Sequence, residues 1–468
     1  MSERPISLAV IGHTNTGKTS VLRTLLRDAT IGDVADAPGT TRESRRYTLR
    51  LGGREGAVFW DTPGLENAAL ALDHLRRVET ERSLAGASAL EAVLAAPPAA
   101  IEHDLLPLRT LAGCDAGLLV FDAREPPRNK YWEEHELLRR CGRPIVAVLN
   151  CTADERARVD EWDAALRRNG LHAVVRFDAW AAREADAGRL FVKLRELLDQ
   201  RWAQEIERVI RQREAEQRRR VGAMAGELAA LLVDLATYRV LVPKEERARG
   251  EASLAAGLTE GWLRLRDALA DLHGVAPDRL ATIEAAIDEL AGREADVLDA
   301  ADATLTVGSV ITAVAGGLLA GGVKGGILDI GTGGATLGLG MIVGGAAGLA
   351  LGGREVARQA ALRARGEVEL ALSDPGLEAV ARRGLWLIER LQSYGQASEK
   401  PLMPPELGAV KEAGTIPGQL RRVRRHRDWS RLDEAARRRG LRPEASVRAI
   451  DKLAGIIAER VMSRSGES

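Results

Sequence analysis

Cysteine is nearly absent from this chain, lysine is scarce, and neither sign of charge prevails. The three cysteines, Cys114, Cys141 and Cys151, show no CxxC spacing. That excludes a disulfide framework or a zinc module built on paired cysteines and fits a reducing compartment. Lys plus Arg and Asp plus Glu number 67 each, so the whole-chain field offers a polyanion no attraction, and such a partner needs a local patch. Only 8 of the basic residues are lysines, a bias that genome base composition produces as readily as function does. An export signal is missing too: Met1 to Pro5 leads straight into an apolar strand pattern, without a basic stretch, a long apolar core and a cleavage site. The expected location is the cytoplasm, with attachment to the cytoplasmic membrane left open by a segment described below.

A length of 468 residues exceeds one ordinary core and implies two to four units at roughly 100 to 200 residues each. Ile6 to Ile11 is a short apolar run that ends in glycine, and Thr19 to Leu26 repeats apolar residues at helical spacing. Tyr47 to Leu51 and Ala57 to Trp60 are strand-like and joined by a hairpin region, Gly52 to Gly56. Further apolar runs at Gly117 to Phe121, Pro144 to Leu149 and His172 to Phe177 alternate with helical patterns such as Tyr131 to Arg140. Strands alternating with helices predict an α/β domain over residues 1–200, a mostly parallel sheet flanked by helices. From about Leu194 the strand-like runs give way to charged amphipathic stretches, among them Glu205 to Ala236, Ala255 to Leu272 and Ala281 to Leu298, with a polar break at Pro243 to Ser253. The expected units are therefore residues 1–200, a helical region at 201–303, a glycine-rich apolar segment at 304–353 and a C-terminal helical region at 354–468.

The chemistry concentrates in Gly12, His13, Thr14, Asn15, Thr16, Gly17, Lys18 and Thr19, followed by Ser20. A triphosphate needs several backbone N–H donors converging on it, which a glycine-permissive loop feeding a helix N-terminus supplies. Strand, loop and helix occur here in that order. Lys18 is expected to reach the β- and γ-phosphates and the Thr19 hydroxyl to coordinate Mg²⁺. Asp61-Thr62-Pro63-Gly64 follows a strand, so Asp61 is the candidate carboxylate for Mg²⁺ and Gly64 the candidate N–H donor to the γ-phosphate. Between them, in Pro38 to Arg42, Thr41 is the candidate to complete the Mg²⁺ shell, with Thr40 as the fallback.

The order Gly12 to Thr19 with Asn15, Thr40-Thr41-Arg42, Asp61 to Gly64 and Asp122-Ala123-Arg124 resembles the translation-factor-related GTPases, in the branch that contains TrmE and Era. The resemblance spans residues 5 to about 180 and implies a phosphate-loop GTPase fold, GTP and GDP as ligands, Mg²⁺ as cofactor and GTP hydrolysis. In members with Asn at the position of Asn15, that side chain helps to hold a K⁺ ion that bridges the phosphates in place of an arginine finger. The resemblance thus gives Asn15 a K⁺ role, against which stands the plainer reading of a loop-shaping residue. Lys18, Asn15 and Thr41 become the catalytic candidates. After Gly64 comes Leu65, so no glutamine orients water there, and intrinsic hydrolysis is expected to be slow or ion-assisted.

The guanine motif departs from the family. Asn150 fits its first position, the lysine is replaced by Cys151, and the acidic residue falls one place late at Asp154. The loop after the last strand is Arg176-Phe177-Asp178-Ala179, which makes Asp178 a second candidate for the base contact. The whole layout also resembles the DUF3482 group, in the degenerate guanine motif, His172 to Asp178 and the glycine-rich segment.

That segment, 304–353, holds 17 of the 48 glycines and only Lys324 and Asp329 as charges. Leu305 to Val323 and Ile330 to Gly353 are each long enough to cross about 30 Å of hydrocarbon as a helix, and glycines every fourth residue give both a smooth face. Three readings stand: a helical hairpin in the inner membrane contacting lipid, a soluble close-packed hairpin, and a segment exposed in only one nucleotide state. Arg421 to Arg442 holds ten arginines, for which a solvated helix face competes with binding to RNA or anionic lipid. Two functions follow: a K⁺-assisted GTP-hydrolysing switch coupled to the helical region, and a nucleotide-binding scaffold with negligible turnover.

Overall fold

A computed structural model describes residues 4–28, 31, 43–84, 87–180, 184–274, 361–362, 364–372, 374–392, 416–432, 438 and 440–466. Thr40, Thr41, the stretch Ala281 to Leu298 and the glycine-rich segment 304–353 lie outside these residues. The chain divides into two compact units, Met1–Gln217 with Gln392–Lys400 and Arg218–Leu391 with Pro401–Ser468.

The first unit is built on six strands: β1 (Ile6–Ile11), β2 (Arg45–Leu51), β3 (Arg54–Asp61), β4 (Ala116–Asp122), β5 (Ile145–Asn150) and β6 (Val174–Arg176). They lie in the order β2-β3-β1-β4-β5-β6, with β2 alone antiparallel. The turn between β2 and β3 is two residues long, because Gly52 and Gly53 both take positive φ, 57° and 79°, which suits the twist of a tight hairpin. β4 is buried at all seven positions, as expected of a parallel strand covered on both faces.

One face is covered by α1 (Lys18–Leu26), α7 (Glu184–Leu197) and the first turns of α8 (Gln200–Thr237), through Leu22, Leu25, Phe191, Leu194, Trp202 and Ile206. The other is covered by α2 (Ala68–Arg82), α3 (Ala87–Ala95), α4 (Leu106–Gly113), α5 (Asn129–Arg139) and α6 (Val159–Arg168). In α6, Asp160 and Glu161 open the helix and Arg167 and Arg168 close it, matching the helix dipole, while Trp162, Ala165 and Leu166 form the buried stripe. Trp162 is fully buried, 4.9 Å from the Phe121 ring and 5.1 Å from Tyr131, and its Nε1–H donates to the Glu125 carbonyl at 2.7 Å. Truncating such a side chain costs about 3–5 kcal/mol. The strand order changes direction at β1, whose carboxyl end is therefore the crevice where ligands sit in open α/β sheets.

The second unit holds the rest of α8, then α9 (Arg247–His273), α10 (Asp374–Gln392), α11 (Ile416–Val423) and α12 (Glu444–Gly466). It also contains a two-stranded antiparallel sheet that the sequence pattern does not predict, β7 (Val240–Pro243) paired with β8 (Glu367–Leu370). Four-residue strands are too short to display a period, and these two meet across a long stretch of chain. The break expected at Pro243 to Ser253 is correspondingly shorter, since α9 begins at Arg247 after a 3-10 turn at Lys244–Glu246.

Several arginines of the Arg421 to Arg442 stretch are engaged within this unit. Arg421 and Arg424 each approach Asp374 at 3.0 Å, Arg427 pairs with Glu369, and Arg442 grips the buried Asp234 through two 2.7 Å hydrogen bonds. Asp234 also accepts the Arg431 N–H at 3.0 Å. Removing either partner of such a buried pair costs about 3–5 kcal/mol, because the other charge stays behind. Among the described residues no helix is long and apolar enough to cross a membrane.

Candidate functional site

Gly12 to Gly17 leaves the carboxyl end of β1 and turns into α1. The turn needs two left-handed residues, Asn15 at φ 68° and Gly17 at φ 84°. Asn tolerates that region better than most side chains, and at Gly17 a Cβ would stand 2.4 Å from Nδ2 of Asn150. Thr16 folds back on His13, whose carbonyl accepts its hydroxyl at 3.0 Å. Lys18 donates to the carbonyls of Gly12 at 3.1 Å and His13 at 2.9 Å. Burial pushes its ammonium below the ordinary lysine range, and Asp61, Glu134 and Glu66 oppose that shift. A buried ammonium resting on backbone carbonyls, with no carboxylate bonded to it, is a cation ready to take a stronger anion. Ser20 lies in the first turn of α1, behind Thr19.

β3 delivers Asp61 beside the loop. The Thr19 hydroxyl donates to Asp61 Oδ2 at 2.8 Å, while Oδ1 is buried without a hydrogen-bond partner. Burial raises the Asp61 carboxyl above the usual range, against the Thr19 hydrogen bond and the charges of Lys18 and Arg45. An orphaned carboxylate oxygen next to a threonine hydroxyl is the donor set of a hard, oxygen-seeking cation, so these residues fit Mg²⁺. Beyond Asp61, Thr62 ties back to the Val10 carbonyl at 2.8 Å, and Leu65 bridges to His13 and donates its N–H to the Gly12 carbonyl at 3.4 Å. Gly64 is thereby laid against Thr14. Leu65 itself is fully buried among Ala9, Ile11 and Leu119, so its side chain points into the core and offers water nothing.

The other end of the site is built from β5 and β6. Asn150 is a tie rather than an open donor: its Nδ2 donates to the Thr16 carbonyl at 3.1 Å and its Oδ1 accepts the Ala179 N–H at 2.9 Å. Asp178 likewise accepts the N–H of Ala153 at 2.8 Å and of Trp180 at 2.9 Å, joining the two loops. Asp154 is engaged by Arg156, through its N–H at 3.0 Å and Nε at 3.1 Å. Cys151 takes φ 58°, and burial pushes its thiol up to about 12. Asp122 holds Arg124 at 2.6 Å, and that guanidinium stands 5.6 Å from the centre of the Trp180 ring.

The structure thus brings Gly12 to Ser20, Asp61, Gly64 and Asn150 around one loop, with Asp154 and Asp178 in the loops after β5 and β6; Thr41 is outside the described residues. Three contributors escape the sequence. Glu134 is 1% exposed on α5 and meets His13 Nδ1 at 2.7 Å, and burial raises its carboxyl. Trp180, beside Arg124, and Asp104, whose carboxylate accepts the Glu66 and Asn67 N–H groups that follow Gly64, are the others, and no local pattern marks any of the three.

Comparison with known proteins agrees with this layout. A family described as "Domain of unknown function (DUF3482)" matches residues 163–454, and one described as "50S ribosome-binding GTPase" matches residues 7–151. GTPase Der of Nitrobacter hamburgensis is 26% identical over 179 residues, 38% of this chain and 31% of that protein. The tRNA modification GTPase MnmE of Helicobacter pylori is 27% identical over 144 residues, 31% of this chain and 25% of that protein. The matches thus span at most about a third of these relatives' length. A crystal structure of Era with MgGDPNP and nucleotides 1506–1542 of 16S ribosomal RNA aligns at TM-score 0.32 and 17% identity, over 42% of this chain and 58% of that one. The chain belongs to the DUF3482 family, and it carries ahead of that region a phosphate-loop GTPase domain of the branch that contains TrmE and Era.

Proposed function

We propose that this protein binds GTP with Mg²⁺ and hydrolyses it slowly, as a switch whose nucleotide state acts on the helical region. The observation that carries this reading is the Thr19 hydroxyl on Asp61 at 2.8 Å beside an unpartnered carboxylate oxygen. Thr19 and Asp61 would hold Mg²⁺, with Thr41 completing the shell, and the ion would neutralise charge on the β- and γ-phosphates. The residues of the chain do the rest. Gly12 to Ser20 wrap the phosphates with backbone N–H groups, Lys18 exchanges two carbonyls for phosphate oxygens, and the Gly64 N–H faces the γ-phosphate. Asn15 would be the residue to hold K⁺, whose charge would supply what an arginine finger supplies, and Asn150 with Asp178 or Asp154 would orient the guanine. Leu65, at the position after Gly64, is buried and gives the attacking water no partner, which favours slow turnover.

A scaffold that binds nucleotide without turnover is favoured by one observation, the commitment of the Asp178 and Asp154 carboxylates to backbone and arginine donors at the base end. Phosphate release in K⁺ against Na⁺ separates the two. K⁺-stimulated release that Lys18→Ala abolishes supports the switch, whereas binding without release in either salt overturns it. Insertion of segment 304–353 into the inner membrane rests on its glycine spacing and lack of charge, and a protein that fractionates as fully soluble in every nucleotide state would remove it.

A further inference from the structure

Asp104 stands in the turns between α3 and α4, 3% exposed, and its carboxylate accepts three hydrogen bonds. Oδ1 takes the backbone N–H of Glu66 at 2.9 Å and of Asn67 at 3.0 Å, and Oδ2 takes the Asn67 side-chain amide at 3.2 Å. These donors lead into α2, whose own first residues supply no side-chain cap. An anion is favoured there by the helix dipole, so a segment distant in sequence performs the capping.

The same few residues touch the phosphate loop on their other side. Glu66 Oε1 accepts the Thr14 hydroxyl at 3.1 Å, and Leu65 bridges to His13. At Gly64 a Cβ would stand 2.2 Å from Thr14 Oγ1 and 2.7 Å from Thr14 N, so nothing larger fits between. Gly64 to Asn67 is therefore held from two sides, by the phosphate loop and by Asp104. The helix that follows Asp104 also meets the approach to β2, where Thr110 Oγ1 lies 2.7 Å from Ser44 Oγ. None of Asp104's three bonds goes to Gly12 to Ser20, which cradle the phosphates common to both nucleotides.

We propose that Asp104 is a positioning residue that sets how strongly this protein distinguishes a nucleoside triphosphate from a diphosphate, by fixing the Gly64 N–H at the place of the γ-phosphate. The assignment rests on the nucleotide-binding reading given above. A loop that must be ordered on binding subtracts that cost from affinity, and one already ordered does not. Only the triphosphate uses Gly64, so only its affinity carries the effect.

The test is calorimetric titration of the full chain with GDP and with a non-hydrolysable GTP analogue, in Mg²⁺, for wild type, Asp104→Asn and Asp104→Ala. Hydrogen exchange at the Glu66 and Asn67 amides is followed in both complexes. Losing hydrogen bonds to a buried charge corresponds to about tenfold or more in affinity. Asp104→Ala is expected to weaken the GTP analogue about tenfold while GDP stays within about twofold, with Asp104→Asn intermediate because its amide oxygen still accepts an N–H. The two amides should exchange faster in the variants. Discrimination equal to or greater than that of wild type, or a parallel loss for both nucleotides, overturns the assignment. A wild type that binds neither nucleotide overturns the underlying reading and the assignment with it, whereas a wild type that discriminates as well as both variants overturns Asp104 alone.

Discussion

The two ends of the nucleotide crevice are held in opposite ways. At the phosphate end the polar groups are under-committed: Lys18 rests on two carbonyls, and one oxygen of Asp61 is buried without a partner. In the loops after β5 and β6, where the base contacts are proposed, they are engaged, with Asn150 tied to Thr16 and Ala179, Asp178 to Ala153 and Trp180, and Asp154 to Arg156. An unsatisfied buried group is costly without its ligand, and its persistence is a mark of binding; a satisfied one stabilises the loops whether or not a ligand comes. The phosphate end therefore keeps polar groups for a ligand to engage, whereas the loops after β5 and β6 largely satisfy their own.

The largest test of that contrast is Lys18→Ala. Nucleotide affinity should fall by about a hundredfold or more in a fluorescence titration, since a charge-assisted contact to phosphate in a dry site is lost. The unliganded protein should melt no lower than wild type, because removing a desolvated ammonium relieves a cost; a lower melting temperature would place Lys18 in the structural class instead. Next comes Asp61→Asn, expected to weaken Mg²⁺-dependent binding about tenfold or more. Burial raises the Asp61 carboxyl, so its ionised form is present above that raised value and lost as pH falls through it. Mg²⁺-dependent affinity should accordingly decline from neutral toward mildly acidic pH earlier than an ordinary carboxylate dictates, and be flatter in the variant. The stability of the unliganded protein should move the opposite way, rising as Asp61 takes up its proton, because the folded state binds that proton more tightly than the unfolded chain.

Asp178→Ala tests the base end. Both of its N–H partners are left wanting, so about 1–3 kcal/mol of stability should go, read by urea denaturation, and the preference for GTP over ATP should be lost with it. Unchanged preference would show that Asp178 staples the loops without touching the base. The last test concerns Cys151. Burial pushes its thiol up to about 12, so iodoacetamide should label Cys151 in the native protein more slowly than after unfolding. Fast native labelling would mean that this loop opens readily, against the engagement described here.

How much of this was legible depended on the range over which each signal acts. Ile6 to Ile11, the loop to Thr19 and the following helix were readable because strand alternation, glycine placement and helical spacing all act within a few residues. The β2–β3 hairpin was readable as a turn region at Gly52 to Gly56 for the same reason, although β3 already begins at Arg54 and the turn is only Gly52-Gly53. β7 and β8 were not, since neither strand is long enough to show a period and each exists only because the other is there. Asn150 was readable as a motif member, but its bonds to Thr16 and Ala179 join three separate loops. The arginines after Arg421 looked like a uniform charged run, whereas Asp374, Glu369 and Asp234, all far away in sequence, engage several of them inside the second unit.

By itself the sequence determined the phosphate loop and the order of strands and helices that presents it, because these follow from local backbone preference and from hydrophobic period, while the family resemblance rests on the motifs themselves. Only the tertiary structure decided which polar groups remain uncommitted. Asp61, Asp104, Glu134 and Asp178 are all acidic residues in the same domain, and nothing in their neighbours distinguishes one left with an orphaned oxygen from one that caps a helix, meets the phosphate loop's histidine or ties two loops. That difference is set by which backbone N–H groups the fold brings within hydrogen-bond distance. Those groups arrive from segments tens of residues away, beyond the reach of any local pattern.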